Sequence, residues 1–357
     1  MKLRFALLSS LAMCWLLLPA HSQQHPLKVL VLYDMEGTSG ISGPKATRFG
    51  MEGYEQGRTS VTADVNAAIA GLKAAGATEI VVVDGHGSGN TAGPDVFQEQ
   101  LLAPAKMIAR DTPFDIYIDS YDHSVDAIVA IAMHAGAGNR AGFLSHTYAS
   151  LATEYRVNGV PLNESMVLAL GAARLKIPLI MVSGDDQLEK EIRRNLPWVR
   201  YATIKHAVDR SKAEPLPRQE ASRRIETAAR EALQKLDAVR LPEFPGPYRF
   251  ALTFQDEAQA QNAALLPGAE LLPGGLSVQV RSNDFEEGYR HSVRLIELAG
   301  AVERQTALGA AIDAQPNAAA IRRTVNDWVL DRRFNRLPSP PAAPAPPAVK
   351  RPYWGAR

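Results

Sequence analysis

A chain of 357 residues, 46% hydrophobic and 22% charged, has the texture of an ordinary globular protein with apolar material for a sizeable core. Its formal charge of +1, with no arginine-rich stripe interleaved with aromatics, gives no electrostatic case for nucleic acid as a partner. The one cysteine, Cys14, lies in a segment expected to be removed, which excludes disulfides, thiolate metal ligands and a cysteine nucleophile from the mature protein.

That segment is residues 1–22. "MKLR" is a basic start, "FALLSSLAMCWLLL" an apolar run too short to span a bilayer comfortably, and "PAHSQQ" offers cleavage after Ala20 or Ser22. A lipoprotein reading at Cys14 is disfavoured, because bulky Met13 precedes it and the apolar run continues past it. Cleavage removes Lys2 and Arg4 and leaves 37 basic against 38 acidic residues. The expectation is an exported protein, periplasmic or secreted, with no stable membrane insertion after cleavage.

From Pro26 strand-like and helix-like stretches alternate. "LKVLVLYD" (27–34) reads as a strand, residues 59–77 as a helix, "TEIVVVDGH" (78–86) and "VDAIVAIAMHA" (125–135) as strands. A helix is expected over 163–175, a strand over 177–186 with a helix after it, and an amphipathic helix over 218–236. Near-continuous Val/Ile/Leu strands are those buried on both faces, so residues 26–245 are expected to form a catalytic α/β core, a mostly parallel sheet flanked by helices. Residues 246–335 read as a smaller C-terminal α+β subdomain ending in a helix. The Pro/Ala-rich stretch 336–357, with six prolines between 338 and 348, is expected to be an extended, disordered tail.

Three of the apolar strands end in potential metal ligands: Asp34 and Glu36, then Asp84 and His86, then His134. Ligands of parallel α/β sheets bind outside the carboxyl ends of the strands, and residues i and i+2 of extended chain point the same way. A mixed imidazole and carboxylate set suits Zn²⁺ and, less well, Mn²⁺. Taken singly, each residue has a plainer explanation: Asp34 and Glu36 could start a turn, His86 could sit on a surface loop, His134 could be a satisfied core histidine. The agreement of three strand ends is what favours a metal.

Glu164 follows Asn163 at a helix start, where compensation of the helix dipole is the simpler reading, and Asp185 and Asp186 sit in the same way. Ser145 is not in a G-x-S-x-G elbow, which argues against a serine hydrolase. His146, twelve residues after His134 across a glycine-rich loop, could fold back over the strand ends as a proton-transfer group.

The motifs "YDMEGTSGI", "VVDGHG", "AMHAGAG", "GFLSHTY" and "VNGVPLNESMVLALGAARL" resemble, in that order, those of the zinc-dependent D-aminopeptidases, the DppA-like family. The resemblance runs from about Leu27 to Ala301; the leader and the proline-rich tail are additions. It implies two zinc ions per subunit bridged by Asp34, with Glu36, His86, His134 and Glu164 completing the ligand set. This replaces the dipole reading of Glu164. His146 is implied as the catalytic residue, and the family implies a ring-like homo-oligomer acting on short peptides with N-terminal D-residues. The expected function is therefore an exported two-zinc aminopeptidase releasing residues such as D-Ala by metal-activated water. The alternatives are another two-metal amidase, esterase or phosphoesterase, or a non-enzymatic metal- or peptide-binding protein.

Overall fold

The computed structural model describes residues 26–110 and 114–334. The leader 1–22 with Cys14 and the tail 336–357 lie outside the described residues.

The first strand, β1 (Lys28–Tyr33), runs into a loop and then α1 (Tyr54–Ala74), followed by β2 (Glu79–Asp84), β3 (Ala105–Met107) and β4 (Ala127–Met133). Next come β5 (Ala152–Val157), β6 (Val160–Pro161), α2 (Glu164–Ala173), β7 (Leu179–Asp185) and α3 (Asp186–Asn195). The chain continues through β8 (Arg200–Ala207), β9 (Ala213–Pro215), α4 (Arg218–Gln234), β10 (Tyr248–Phe254) and α5 (Glu257–Ala263). It finishes with β11 (Glu270–Leu271), β12 (Ser277–Ser282), α6 (Phe285–Asp313) and α7 (Ala318–Phe334).

These strands form a seven-stranded sheet in the order β3-β2-β1-β4-β7-β8-β9, parallel except at the edge pair β8/β9. Helices flank this mostly parallel sheet. In β1, Val29, Val31 and Tyr33 pack on one face with α1 and α4, while Leu30 and Leu32 pack on the other. A strand covered on both sides has no polar face, which is why its sequence is an unbroken apolar run. From β1 the chain builds outward to β2 and β3, then returns to place β4 on the other side of β1. The β1/β4 junction is thus a switch point, where the loops diverge and leave a crevice at the carboxyl ends.

The second sheet, β11-β12-β10-β5-β6, is antiparallel throughout. It is not confined to the C-terminal segment 246–335: two of its strands, β5 and β6, come from residues 152–161. β5 alternates buried Ala152, Tyr155 and Val157 with the polar Thr153, Glu154 and Arg156, a half-exposed pattern without the apolar run that marks the central strands. Phe250 and Val278 of this sheet share a hydrophobic cluster with Leu30 and Ile128 of the large one, so the two sheets are joined through their interiors.

One helix starts before its expected bound and another is unusually long. α1 begins at Tyr54, five residues before Thr59, because Gly57 behaves as a packing residue and not as a breaker: a Cβ there would lie 2.5 Å from Ala46 O. α6 packs its first half through Tyr289, Leu295 and Ile296, then runs on to Asp313, and α7 follows it with most of its residues exposed.

α1 crosses α4 at Gly71, where an added Cβ would lie 2.2 Å from Glu226 O. Helix propensity alone favours Gly71→Ala by about 1 kcal/mol, but overpacking against backbone costs about 1–3 kcal/mol. The expected outcome is a net loss of up to roughly 2 kcal/mol in chemical denaturation; a stabilised variant would show that the crossing has slack.

Candidate metal centre

β2, β1 and β4 are adjacent, in parallel register, and each delivers its polar residues at the same end of the sheet. Asp34 and Glu36 follow β1, His86 follows β2 and His134 follows β4; all four are at least 95% buried. Glu164, at the first turn of α2, enters from the side and is 97% buried. Its neighbour Asn163 caps the helix through a bond from Met166 N, so the cap motif is real and the carboxylate still points to the strand ends. The structure therefore brings together all five residues suggested as ligands. Asp185 instead caps α3, accepting from Gln187 N and Leu188 N, and stays at its helix start.

The imidazoles reveal what the cluster is built to hold. His134 Nδ1 lies 2.9 Å from Ala135 O, an acceptor only, so the ring proton sits on Nδ1. In the neutral ring Nε2 then presents its lone pair to Asp34 Oδ2 at 3.2 Å and Glu164 Oε2 at 3.3 Å. His86 repeats the arrangement with the nitrogens exchanged. Its Nε2 donates to Thr47 O at 2.8 Å, and its Nδ1 faces Asp34 Oδ1 and Glu36 Oε2, each at 3.0 Å. A lone pair aimed at carboxylate oxygens is repulsive unless a cation or a proton lies between them. Glu36 Oε2 and His134 Nε2 are also buried without a well-formed hydrogen bond, which is costly unless something else satisfies them.

The carboxylates respond in opposite directions. Burial, then the charge of Glu36, raises the Asp34 pKa. Burial also works against ionised Glu36, yet the facing His86 holds it well below the ordinary range. Glu164 falls to about 2 despite burial, because His134 and the Tyr117 hydroxyl favour its charged form. Without a metal, burial disfavours charged His86 and His134, but their carboxylate neighbours prevail and keep both rings protonated. A divalent cation replaces such protons directly. Asp34 offers one oxygen to each imidazole, and the oxygen and nitrogen atoms of Asp34, Glu36 and His86 lie within 4.8 Å of one another. The same spacing holds for His134, His146 and Glu164. The donor set, imidazole nitrogens among carboxylate oxygens, fits divalent-cation binding.

His146 reaches this cluster because its loop folds back: His146 N donates to Ala135 O at 3.1 Å, and the ring stacks on His134 with centroids 4.0 Å apart. Its Nδ1 donates to Leu144 O at 2.7 Å, leaving Nε2 toward Glu164 Oε1 at 3.8 Å. Burial, then the neighbouring His134, pushes its pKa below the usual imidazole value, so the ring is neutral. Leu144 and Tyr148, either side of it, both have positive φ (49° and 66°), a strain that the surrounding contacts must hold. Ser145 donates to Asn139 O and takes no place in the cluster.

Several participants are illegible in sequence. Tyr117 donates to Glu164 Oε2 at 2.6 Å and Tyr148 N to Oε1 at 2.7 Å, fixing that carboxylate. Gly37 lets the loop after Glu36 rest on β4, donating to Ala132 O; a Cβ would lie 2.0 Å from Met133 O. Lys205, fully buried on β8, donates to Glu36 O at 2.9 Å and Ile41 O at 2.8 Å, and lies over the Phe143 ring. Burial, offset by Asp185 and Asp64, brings its pKa down to about 7. The cluster forms one wall of a cavity of about 340 Å³ that also includes Arg48, Arg110, Asp115 and Tyr148.

The family model for D-aminopeptidases, Peptidase_M55, matches residues 27–293. A D-aminopeptidase of Bacillus subtilis (strain 168) is 30% identical over 274 residues, 76% of this chain and 98% of the relative. The chain is also similar to a solved structure, the Zn-dependent D-aminopeptidase DppA from Bacillus subtilis, described as a self-compartmentalizing protease. The match has TM-score 0.70 and 28% identity, and covers 76% of this chain and 98% of that one.

Lys205→Met leaves two buried carbonyls without their donor, each costing about 1–3 kcal/mol, partly offset because no ammonium is buried. Urea unfolding of the variant is expected to show a net loss of about 2 kcal/mol or more. Unchanged stability would mean that other donors already serve Glu36 O and Ile41 O.

Proposed function

This chain belongs to the D-aminopeptidase family and is a metallo-aminopeptidase, a hydrolase of peptide bonds; we propose that it is exported and uses two zinc ions per subunit to release D-residues such as D-alanine from the N-termini of short peptides. The observation that carries this reading is the pair of buried imidazoles, each donating outward to a backbone carbonyl and turning its other nitrogen onto carboxylates. Asp34, Glu36 and His86 would hold one ion, and Asp34, His134 and Glu164 the other, with Asp34 shared. Zinc suits this nitrogen and oxygen set; Mn²⁺ is the second candidate. Bound zinc supplies Lewis acidity and lowers the pKa of bound water.

The chain's own residues account for the rest. His146 is the proton-transfer group: with Nδ1 committed to Leu144 O, its Nε2 can take a proton and hand it to the departing amine. Tyr117 and Tyr148 N hold Glu164 in one orientation, and burial of the whole set excludes bulk water. The self-compartmentalizing relative supports a ring-like homo-oligomer here too. The basic-apolar leader supports export, periplasmic or secreted, with the mature N-terminus after Ala20 or Ser22. Arg48 and Arg110 line the same cavity and would also suit a phosphorylated substrate, so a phosphoester panel belongs beside the peptide assay.

His146→Ala is expected to lower kcat on D-Ala-D-Ala by about 10²–10⁴-fold while leaving metal content unchanged. Near-normal turnover would remove His146 from the mechanism. Asp34→Ala should lose both zinc ions in elemental analysis, and full retention would refute the sharing of Asp34. Wild-type protein that hydrolyses L-Ala-L-Ala as fast as D-Ala-D-Ala would overturn the stereochemical assignment.

A further inference from the structure

A charged side chain is costly to bury, and two that lie outside the ligand set, Lys205 on β8 and Asp64 on α1, are wholly enclosed. Both act on the same stretch of chain. Lys205 Nζ donates to Glu36 O at 2.9 Å and to Ile41 O at 2.8 Å, the two ends of the loop 36–41. Asp64 takes the middle of that loop, accepting from Ser39 N at 2.8 Å and from Ser39 Oγ at 2.7 Å. The acidic groups that face Lys205 are Asp185, Asp64 and Glu36, so its charge is balanced locally while its close contacts are main-chain oxygens. Two N–H donors suffice for two carbonyls, and the ammonium and the neutral amine both have them.

What depends on this loop is the Glu36 carboxylate, because the ligands are unequally supported. Glu164 is held at both oxygens, by the Tyr117 hydroxyl and by Tyr148 N. Asp34 accepts from Met35 N at 2.8 Å, and its own N–H bonds to Ile131 O of β4. His86 and His134 are each anchored to a backbone carbonyl. Glu36 has no such partner: among the described residues no hydroxyl or amide donates to its carboxylate, which faces His86 Nδ1 at 3.0 Å. Its position is therefore inherited from its backbone. That backbone is fixed by Gly37 N on Ala132 O and by the two buried charges.

We propose that Lys205, together with Asp64, positions Glu36 for one of the two metal ions, the one held by Asp34, Glu36 and His86, and that the ion held by Asp34, His134 and Glu164 does not depend on them. This rests on the two-zinc reading above. Both are positioning residues, acting through the loop and not through contact with the metal or substrate.

The test measures zinc per subunit by elemental analysis and zinc release by chelator titration, in the wild type, Lys205→Met and Asp64→Asn. Methionine keeps an unbranched side chain against the Phe143 ring and removes the donors. The wild type should hold two ions. In Lys205→Met one ion should be weakened by about 10–100-fold, the usual effect of losing an outer-shell support, and the other should keep its wild-type affinity. Adding His134→Ala to Lys205→Met should remove the surviving ion, whereas adding His86→Ala should leave it. Asp64→Asn, the milder change, should weaken the same single ion and decides the matter if Lys205→Met does not fold. Gly71→Ala, which loosens the helix crossing elsewhere, should release both ions as the wild type does. Wild-type release of both ions from the folded variants would overturn the proposal, and so would an equal weakening of the two, the mark of general loosening. A wild type that holds fewer than two zinc ions overturns the two-zinc reading itself, and the proposal with it, before any variant is made.

Discussion

Three buried carboxylates and two imidazoles meet at the ends of three neighbouring strands, and the surrounding structure is arranged to hold them there. Asp34, Glu36 and Glu164 repel one another when ionised, and a low-dielectric site makes that repulsion large. The fold answers with rigid supports. Gly37 seats the loop after Glu36 against the carbonyls of Ala132 and Met133, which explains why glycine follows D-x-E in this motif. Asp64 of α1 accepts from both the amide and the hydroxyl of Ser39, securing the same loop further along. Lys205 reaches under it from β8 to take two more carbonyls. On the other side, Glu191 of α3 accepts from Gly136 N, Asn139 Nδ2 and Asn163 Nδ2, tying the loop after His134 to the residue before Glu164.

What could be read in sequence follows from the same geometry. Asp34, Glu36, His86 and His134 were legible because an apolar run ending in a polar residue is visible in one dimension, and parallel strands present such ends together. Glu164 was not legible by that route. Its local signal is a helix start, Asn163 does cap that helix, and nothing local tells where the carboxylate points. Only the motif resemblance singled it out. Lys205 and Arg110 were invisible for a different reason: a lysine in an ordinary strand or an arginine in a loop is nearly always solvated, and burial is a property of the tertiary fold alone. β5 escaped because its pattern is that of a half-exposed strand, and α1 started early because Gly57 signals a break while serving as a point of close approach.

The cavity wall extends beyond the segment that the family model matches. Most of its wall belongs to segments within the family match at 27–293, yet Glu303 of α6 also lines it. The helix that packs Tyr289 and Ile296 into the core thus continues past the matched region and brings a carboxylate to the cavity rim. Beyond that point α6 and α7 leave Leu308 and Trp328 more than half exposed. The strand ends thus supply the ligand-cluster side of the cavity, while α6 supplies part of its outer boundary.

The three histidines at the site show how one backbone device can produce two kinds of imidazole. Each ring donates one N–H to a main-chain carbonyl: His86 to Thr47 O, His134 to Ala135 O and His146 to Leu144 O. A proton is thereby fixed on the outward nitrogen in all three, and the inward nitrogen is the position where a second proton or a cation can sit. What that nitrogen faces decides its use. For His86 and His134 it is a pair of carboxylate oxygens between 3.0 and 3.3 Å away, an electrostatic well deep enough to hold a cation. For His146 it is a single carboxylate oxygen at 3.8 Å and the cavity beyond, with the His134 ring stacked against its face. Burial, and then that neighbour, disfavour a positive charge on the ring, so His146 is neutral with Nε2 able to accept a proton. One carboxylate oxygen fewer thus faces His146 than faces His86 or His134, a difference set by where the loop from Ala135 to His146 closes on itself.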